Sequence, residues 1–309
     1  MSLVAITGAG GFIGSAVVRL CLREGWRVRA LVGPPGVAGH PLPAEADARA
    51  GEIDSPSTVA ALVAGCDAVI HLAGPASVAA SFDVPAEFAR VHVAGTAAIL
   101  EASRREGVAR FVHVSSAEVY GVPLRNPVDE THRLQARSPY AAAKIGAEQL
   151  VESYRIAYGL PIAVLRPFSV YGPRQSSGGA IGSIMRQLLR RDPVVELAAP
   201  SIVRDFCFVE DLAEAIVLAA GTSTAPLTLN VASGTGVSIA AVAHAAAEAA
   251  GCTIDVLTRT TDDRPRRADI TELVGDATRI RSELGWQART PLVDGLRHTI
   301  DWFRSTEGT

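Results

Sequence analysis

A tyrosine and a lysine, Tyr140 and Lys144, stand four residues apart in a segment with a helical pattern. The stretch from Ser138 to Leu150 is predicted to be a helix that opens with these two residues. Side chains at positions i and i+4 share one helical face, and a nearby ammonium lowers the pKa of a phenol. The spacing therefore predicts an acid/base tyrosine tuned by a lysine, unless it is a coincidence on an amphipathic helix.

A glycine-rich turn lies near the start of the sequence. The apolar run Leu3–Thr7 is typical of a buried parallel strand, and glycines follow it at positions 8, 11 and 14 before a helical pattern at 16–22. Glycines let a backbone approach a pyrophosphate, and a helix N-terminus directs free N–H groups towards an anion. A strand, a glycine turn and a helix in this order predict a dinucleotide site.

The second predicted strand, Arg27–Val32, ends without the acidic residue that would bind the 2′-hydroxyl of an adenosine ribose. Gly33 and Pro34 follow it instead. The missing carboxylate removes a preference for NAD, but no arginine follows directly to bind the 2′-phosphate of NADP. The sequence therefore leaves both NADP(H) and NAD(H) open as cofactors.

Strands and helices alternate along the first half of the sequence and must position these residues. Residues 67–74 and 110–116 are predicted strands, and residues 87–107 between them are a predicted long helix. This alternation implies right-handed crossovers and an α/β fold with a Rossmann-like doubly wound parallel sheet. Ligands bind at the carboxyl ends of such strands, where Ser116 stands. His71, inside an apolar strand, is expected to be a packed, hydrogen-bonded core residue.

The composition is that of an ordinary globular protein and argues against several classes of function. The 309 residues are 48 % hydrophobic and 20 % charged, with a formal net charge of −3, which gives no indication of a nucleic-acid or membrane partner. The histidines have no metal-ligand spacing such as HExxH, so no metal site is predicted. Without a recognisable signal peptide or CxxC pair, we expect a cytoplasmic protein with buried thiols.

Several stretches make the sequence similar to a known family. They are TGAGGFIG at 7–14, HLAG at 71–74, SSAEVYG at 115–121, SPYAAAK at 138–144, RPFSVYGPR at 166–174, VRDFCFVEDLAEAI at 203–216, PRRADITELVGD at 265–276 and ELGW at 283–286. Together they resemble the extended short-chain dehydrogenases/reductases of the nucleotide-sugar epimerase/dehydratase family. The matches span nearly the whole chain in the family's order, which argues against a coincidental spacing of Tyr140 and Lys144.

The resemblance implies a catalytic set of Ser116, Tyr140 and Lys144. Tyr140 would be the acid/base, Ser116 would orient and polarise the substrate oxygen, and Lys144 would bind the nicotinamide ribose while lowering the pKa of Tyr140. The residues implied or expected to line the cofactor, together with Tyr140 and Lys144, are Gly8, Gly11, Phe12, Ile13, Gly14, Glu52, Ile53, Leu72 and Ala73.

The substrate class that the resemblance implies is a nucleoside-diphosphate sugar. Besides Ser116, the expected substrate contacts are Ser169, Arg174, Arg204 and Arg266. Arg204 and Arg266 match arginines that bind the diphosphate in relatives, and a guanidinium fork suits phosphate oxygens.

The resemblance also implies two interleaved parts and a partner. A dinucleotide-binding domain is expected over 1–168 and 203–233, and a smaller α/β substrate-binding domain over 169–202 and 234–309. A homodimer is expected through the two long helices near 87–107 and 140–158.

Three positions depart from the family pattern. Ser169 and His92 stand where relatives commonly carry asparagine, which leaves the diphosphate contacts and a hydrogen bond near the active site in question. Glu118 matches a glutamate of the dehydratases and decarboxylases, but its neighbour is Ala117 rather than a second polar residue. Elimination of water needs both a base and an acid beyond the tyrosine, so one glutamate gives limited support.

The sequence therefore predicts hydride transfer at the sugar C4. A 4-ketoreductase of a 4-keto-6-deoxy sugar is preferred, because the missing acid after Val32 and the altered asparagine positions indicate weakened retention of NAD. The alternatives are a 4-epimerase with tightly bound NAD and, third, a 4,6-dehydratase or decarboxylase that uses Glu118. A cofactor-binding sensor is the non-enzymatic alternative, and the presence of Ser116, Tyr140 and Lys144 together argues against it.

Overall fold

The computed structural model describes residues 2–34, 37, 39–190, 193–222, 227–259 and 270–307. The strands are β1 Leu3–Thr7, β2 Arg27–Val32, β3 Asp47–Ala50, β4 Ala68–His71, β5 Arg110–Val114, β6 Ile162–Pro167, β7 Ser169–Tyr171, β8 Val194–Leu197, β9 Val203–Phe208, β10 Leu227–Val231, β11 Gly236–Ser238, β12 Asp255–Thr258 and β13 Glu272–Leu273. The α-helices are α1 Phe12–Arg23, α2 Pro56–Val63, α3 Ala80–Asp83, α4 Pro85–Ala89, α5 Gly95–Glu106, α6 Pro139–Tyr158, α7 Ala180–Leu189, α8 Val209–Gly221, α9 Ile239–Ala250, α10 Thr278–Leu284 and α11 Leu292–Glu307. A π-helical turn spans Arg90–Ala94, and a 3₁₀ turn spans Ala117–Tyr120.

The main sheet contains seven parallel strands in the order β10-β6-β5-β4-β1-β2-β3. Val4 of β1 lies opposite Val28 of β2 on one side and Ala68 of β4 on the other. The strand order reverses between β1 and β4, and ligands of doubly wound sheets bind outside the carboxyl ends of strands at such a point. The predicted Rossmann-like doubly wound sheet is confirmed.

Helices cover both faces of the sheet. Successive side chains of each strand point to opposite faces and pack against these helices. Val4 and Ile6 of β1 belong to a buried cluster that includes residues of α1 and α8. Ala5, between them, belongs to a second buried cluster that includes residues of α2, α5 and α6. Helices on both faces leave the carboxyl edge of the strands as the place where the polar residues meet.

A smaller α/β part follows β6. Strands β7, β9, β11 and β13 form one sheet, β8 and β12 form a two-stranded sheet, and a separate apolar core joins them to α7, α9 and α11. The predicted domain boundaries grouped 203–233 with the dinucleotide-binding part. Strand β9 pairs within the smaller sheet, whereas the α8 and β10 that follow it pack in the main part. The two-domain boundaries stay a prediction.

Serine side chains cap the starts of two helices. Ser138 accepts a hydrogen bond from the backbone N–H of Ala141 at 3.1 Å, and Pro139 begins α6. Ser238 accepts one from Ala241 at 3.1 Å, and Gly251 ends α9 in a left-handed conformation. The segment predicted as one helix over 87–107 contains the end of α4, the π-helical turn and α5 in continuous succession.

One expectation about the cysteines is wrong. Cys21, Cys66 and Cys207 are buried as expected, but Cys252 is exposed. It follows Gly251 at the end of α9, where the chain leaves the helix and has no apolar face to cover it.

Candidate active site

The glycine turn after β1 packs backbone against backbone. A Cβ at Gly8 would lie 2.8 Å from the Ala73 nitrogen, and a Cβ at Gly14 would lie 2.1 Å from the Gly8 carbonyl oxygen. Gly8 has φ of 67°, a left-handed conformation that side chains disfavour. The residues present thus form a cradle that fits the pyrophosphate of a dinucleotide, because only glycine leaves room for this close approach.

Helix α1 begins directly behind this turn. Gly11 is the N-cap residue, its N–H donates to the Gly8 carbonyl at 3.0 Å, and Phe12 and Ile13 form the first turn. Ser15 donates its backbone N–H to the Gly11 carbonyl at 2.9 Å. Since a helix N-terminus carries a positive dipole end, α1 is suited to hold the anionic part of the cofactor.

The carboxyl end of β4 is tied to β1 by one threonine. Thr7 Oγ1 accepts hydrogen bonds from the backbone N–H groups of Leu72 and Ala73, both at 3.1 Å. It also lies 2.7 Å from His71 Nδ1, and His71 Nε2 lies 3.0 Å from Thr96 Oγ1. Burial lowers the pKa of His71 to about 3. The prediction that His71 is a packed, hydrogen-bonded core residue is confirmed.

Glu52 and Ile53 follow β3 near the same edge. Ile53 is 5 % exposed and packs so closely on Gly95 of α5 that a Cβ there would lie 2.7 Å from its side chain. Glu52 lies 3.6 Å from Arg90, which also pairs with Asp54 at 2.5 Å. The predicted adenine contact of Glu52 and Ile53 stays a prediction.

Ser116, Tyr140 and Lys144 are brought together by β5 and α6. Ser116 follows β5, and its hydroxyl accepts the backbone N–H of Glu118 at 3.2 Å. The Ser116 side chain lies close enough to the Tyr140 phenol to lower its pKa. Lys144 Nζ donates to the carbonyl of Val114 at 2.9 Å. A pair of hydroxyls and an ammonium therefore meet at the carboxyl end of β5.

Burial dominates the protonation of this group. It raises the pKa of Tyr140 to about 12, against the lowering effect of the nearby Ser116 side chain. It lowers the pKa of Lys144 to about 8, against the raising effect of Glu148. The prediction that the pKa of Tyr140 lies below its ordinary value is therefore wrong, because desolvation of the phenolate and the charge of Glu118 outweigh the effect of Ser116.

Glu118 lies close enough to act on the tyrosine. It is half-buried, and its charge contributes to raising the pKa of Tyr140. Ala117 beside it is 3 % exposed and belongs to the core cluster. The 3₁₀ turn thus directs one carboxylate, rather than a pair of acids, towards the site.

His92 forms one side of the tyrosine's surroundings. Its ring lies 5.6 Å from the Tyr140 ring at 75°, and its Nε2 lies 2.9 Å from the Pro75 carbonyl oxygen. A carbonyl only accepts, so Nε2 carries the ring proton. Burial lowers the pKa of His92 to about 3, so the imidazole is neutral at physiological pH. The histidine that departs from the family pattern is therefore in direct contact with the predicted acid/base residue.

The sequence interpretation missed a buried ion pair behind the site. Arg166 Nη2 lies 2.6 Å from Glu148 Oε2, and Arg166 Nε lies 3.0 Å from Glu148 Oε1. Two signals were available: Glu148 comes four residues after Lys144, and Arg166 interrupts the otherwise apolar strand β6.

The predicted substrate contacts lie on the smaller part. Ser169 begins β7 opposite Phe206, and Arg204 on β9 donates to the Val203 carbonyl at 2.9 Å. Arg174 has φ of 73°, and its carbonyl accepts a hydrogen bond from His40 Nε2 at 2.7 Å. Arg266 lies outside the described residues. Contact of these four side chains with a substrate stays a prediction.

Metal clusters and membrane-spanning helices are both absent from the described residues. Within them, no cluster of three or more His, Cys, Asp or Glu side chains is arranged to hold a metal ion. No helix in that part of the chain has the length and apolar character to cross a membrane.

Known proteins share this sequence and geometry. Residues 5–299 match the family model described as GDP-mannose 4,6-dehydratase. A UDP-glucose 4-epimerase of Mycolicibacterium smegmatis is 33 % identical, with 97 % of this chain and 98 % of the relative covered. A dTDP-glucose 4,6-dehydratase of Streptomyces niveus is 32 % identical, with 97 % and 92 % covered. The UDP-glucose 4-epimerase of Thermus thermophilus, solved in complex with NAD, has a TM-score of 0.88 at 30 % identity, with 98 % and 99 % covered.

These matches run through the glycine cradle, the main sheet and the smaller part alike, since both chains are covered almost completely. The resemblance predicted from the motifs is confirmed. The predicted cofactor class, a nicotinamide dinucleotide, is confirmed with it. The chain belongs to the NAD(P)-dependent epimerase/dehydratase family of short-chain dehydrogenase/reductase enzymes, whose substrates are nucleotide sugars.

Proposed function

We propose that this enzyme is a nucleoside-diphosphate-sugar 4-epimerase with a retained NAD, and that UDP-glucose is the first substrate to test. The observation that carries the proposal is the buried Tyr140 phenol with the half-buried Ser116 hydroxyl near it and the Lys144 ammonium on the same helix. The apolar Ala117 in place of a second acid favours epimerisation over elimination. Relatives named as UDP-glucose 4-epimerases support it over the 4-ketoreductase that the sequence alone favoured.

Each residue of the set has one task in this reaction. Tyr140 accepts the proton of the sugar 4-hydroxyl and later returns it, while Ser116 donates a hydrogen bond to the same oxygen. The glycine cradle and Lys144 would hold NAD, whose chemistry when bound would be reversible acceptance of the C4 hydride. The Lys144 ammonium would favour the Tyr140 phenolate, which burial disfavours. The 4-keto sugar must rotate in the site between the two hydride transfers, so that its opposite face is reduced.

A 4,6-dehydratase is the second candidate, and Glu118 is the observation that favours it. Its carboxylate lies close enough to influence Tyr140, and a relative of 32 % identity is named as a dTDP-glucose 4,6-dehydratase. A Glu118→Gln variant separates the two reactions. An epimerase keeps most of its activity, whereas a dehydratase loses its base and with it the elimination step.

The surrounding assignments belong to the same proposal. Ser169, Arg174, Arg204 and Arg266 are proposed to bind the nucleotide sugar, and the protein is proposed to act as a cytoplasmic homodimer. The three buried thiols are compatible with a reducing compartment.

The first test replaces the acid/base residue. Tyr140→Phe should lower kcat for UDP-glucose by about 10²–10⁴-fold, the usual contribution of a positioned acid/base group, while the content of bound NAD stays unchanged. Tyr158→Phe is the matched control, because this tyrosine is on the same helix and 58 % exposed. Turnover in the Tyr140 variant close to that of wild type would contradict the assignment.

The second test needs no substrate. The purified protein is denatured, and any released nicotinamide cofactor is identified and counted. NAD at one molecule per chain supports a cofactor recycled within each turnover, as an epimerase requires. A protein that releases none and prefers added NADPH would instead restore the 4-ketoreductase interpretation, since its hydride is consumed in every turnover.

A further inference from the structure

The segment that carries Ser116 is held at both ends by one buried ion pair. Before it, Ser115 donates its hydroxyl to Glu148 Oε1 at 2.5 Å. After it, the hydroxyl of Tyr120, the last residue of the 3₁₀ turn, accepts from Arg166 Nη1 at 3.0 Å. Glu148 and Arg166 are themselves joined by two hydrogen bonds. Ser116 therefore lies between two residues, Ser115 and Tyr120, that are both hydrogen-bonded to the same ion pair.

Three elements meet at this pair. Glu148 is on α6, one turn after Lys144, whose ammonium binds the Val114 carbonyl at the end of β5. Arg166 is on β6, which also accepts the Ser115 N–H through the Leu165 carbonyl at 2.7 Å. Helix α6, which carries Tyr140, is thus joined to the end of β5, which precedes Ser116, through Lys144 and Glu148.

The chain of contacts continues into the last strand of the main sheet. The Tyr120 hydroxyl donates to Asn230 Oδ1 at 2.6 Å, and the Asn230 side chain donates to the Val128 carbonyl at 2.8 Å. The Arg166 guanidinium also lies over the Tyr120 ring, 5.0 Å from its centre. Because each of these contacts is directional, Tyr120 has little freedom to move and the turn after Ser116 is fixed.

Stability alone does not account for this arrangement. The side chains of Arg166 and Glu148 are 8 % and 6 % exposed, and the desolvation of two buried charges offsets most of their attraction. An apolar pair of the same volume would hold the core equally well or better. What an ion pair adds is a set of fixed hydrogen-bond directions towards Ser115 and Tyr120.

We propose that the Glu148–Arg166 pair positions Ser116. The pair holds both ends of the segment that carries Ser116, so that the serine hydroxyl stays near the Tyr140 hydroxyl. The inference rests on the proposed function, because it assigns the pair a role only through the catalytic pair that it supports. Ser115 and Tyr120 transmit the position, and neither touches the reacting atoms.

Ser115→Ala is the mildest test, because it removes one anchor and leaves both Glu148–Arg166 hydrogen bonds in place. We expect kcat for UDP-glucose to fall by at least about tenfold, since a misplacement of about 1 Å can cost about 100-fold, while KM changes less than twofold. In a Ser116→Ala background the same substitution should change kcat less than twofold, because there is no serine hydroxyl left to position. A purely structural role would lower kcat by the same factor in both backgrounds and would overturn the proposal.

Ser103→Ala is the matched control. Ser103 is fully buried and donates to the Ile99 carbonyl at 2.7 Å within α5, so its loss removes a buried hydroxyl of the same type elsewhere. We expect a comparable decrease in Tm with kcat within twofold of wild type. An equal loss of kcat in the control would mean that lowered stability explains both variants and would refute the positioning role.

A crystal structure of the Ser115→Ala variant gives a readout that does not depend on turnover. The proposal expects the Ser116 hydroxyl displaced from Tyr140 with the rest of β5 unchanged, and an undisplaced hydroxyl would overturn it. The two proposals fail differently. If Ser116→Ala has no effect on kcat, the proposed function fails. If Ser116→Ala lowers kcat but Ser115→Ala does not, the positioning inference alone fails.

Discussion

At the scale of single residues, the site is defined by ionisable groups that burial holds away from their charged forms. The pKa of Tyr140 is raised to about 12, and those of His71 and His92 are lowered to about 3. Lys144 is the group nearest to titration in the working range, with a pKa of about 8. A low dielectric strengthens every charge that a ligand introduces, so the bound cofactor and substrate complete the electrostatics of the site.

The buried ammonium of Lys144 should reduce stability. Its pKa falls from an ordinary value of 10.5 to about 8, which corresponds to about 3 kcal/mol at 1.36 kcal/mol per unit. Lys144→Met should therefore unfold in urea with a free energy about 2 kcal/mol higher than that of wild type at pH 7, after about 1 kcal/mol for the lost hydrogen bond to Val114. Turnover should be lost at the same time.

The pH dependence of this gain has a definite sign. Between pH 8 and 10.5 the unfolded wild-type chain binds more protons at Lys144 than the folded protein does, so wild-type stability rises with pH there. The advantage of the methionine variant should be complete below pH 8 and disappear as the pH approaches 10.5. An advantage that is absent at pH 7, or that grows above pH 8, would contradict the burial of a charged lysine.

At the scale of elements, β1, the glycine turn and α1 act as one unit. The closest approach is between Gly14 and the Gly8 carbonyl, where a Cβ would lie 2.1 Å from the oxygen. At Gly10 a Cβ would first meet a Val32 methyl group at 3.4 Å, an ordinary contact. The positions of Gly8, Gly11 and Gly14 thus follow from where α1 and the residues after β4 closely approach the turn.

Alanine substitutions at Gly14 and Gly10 should differ in their effect on NAD binding. Gly14→Ala should weaken NAD binding more than about tenfold, because the start of α1 must move away from the turn that holds the pyrophosphate. Gly10→Ala is the control and should bind NAD within about threefold of wild type, because its Cβ would have no neighbour nearer than 3.4 Å. Calorimetric titration of cofactor-free protein measures both, and equal affinities would contradict the close-approach argument.

At the scale of the whole molecule, buried aspartates join the two interleaved parts. Asp205 on β9 is fully buried and accepts the backbone N–H groups of Ser233 at 2.7 Å and Gly275 at 3.2 Å. Asp211 on α8 accepts the Thr290 N–H at 3.0 Å, ahead of the last helix. Segments that are distant along the chain are therefore tied together at several points by these two carboxylates.

Exposed apolar residues lie at the end of α6, where the homodimer is expected. Ile156 is 71 % exposed and Tyr158 is 58 % exposed. Ile156→Glu should convert a dimer to a monomer, because a charge buried at a helix-to-helix interface is desolvated without a partner. Sedimentation velocity measures the mass, with Leu257→Glu as the control, since Leu257 is 54 % exposed on the distant strand β12. A monomeric wild type, or a dimeric Ile156 variant, would contradict the predicted interface.

The sequence by itself determined the fold class and the members of the predicted catalytic set. Strand-turn-helix order, the helix caps and the spacing of Tyr140 and Lys144 are local features, and local backbone geometry follows from neighbouring residues. The glycine turn could be assigned for the same reason, because its glycines lie within one short segment. The cofactor class then followed from the resemblance that these motifs carry.

Only the tertiary structure decided the properties that depend on surroundings. The direction of the Tyr140 pKa shift depends on burial, which no spacing along the chain contains, and the prediction was wrong for that reason. The contact of His92 with Tyr140 joins separate elements. The Glu148–Arg166 pair joins α6 to β6, and its hydrogen bonds to Ser115 and Tyr120 exist only because the sheet brings these residues together. Long-range packing set these features, since desolvation and hydrogen-bond partners are properties of the folded interior.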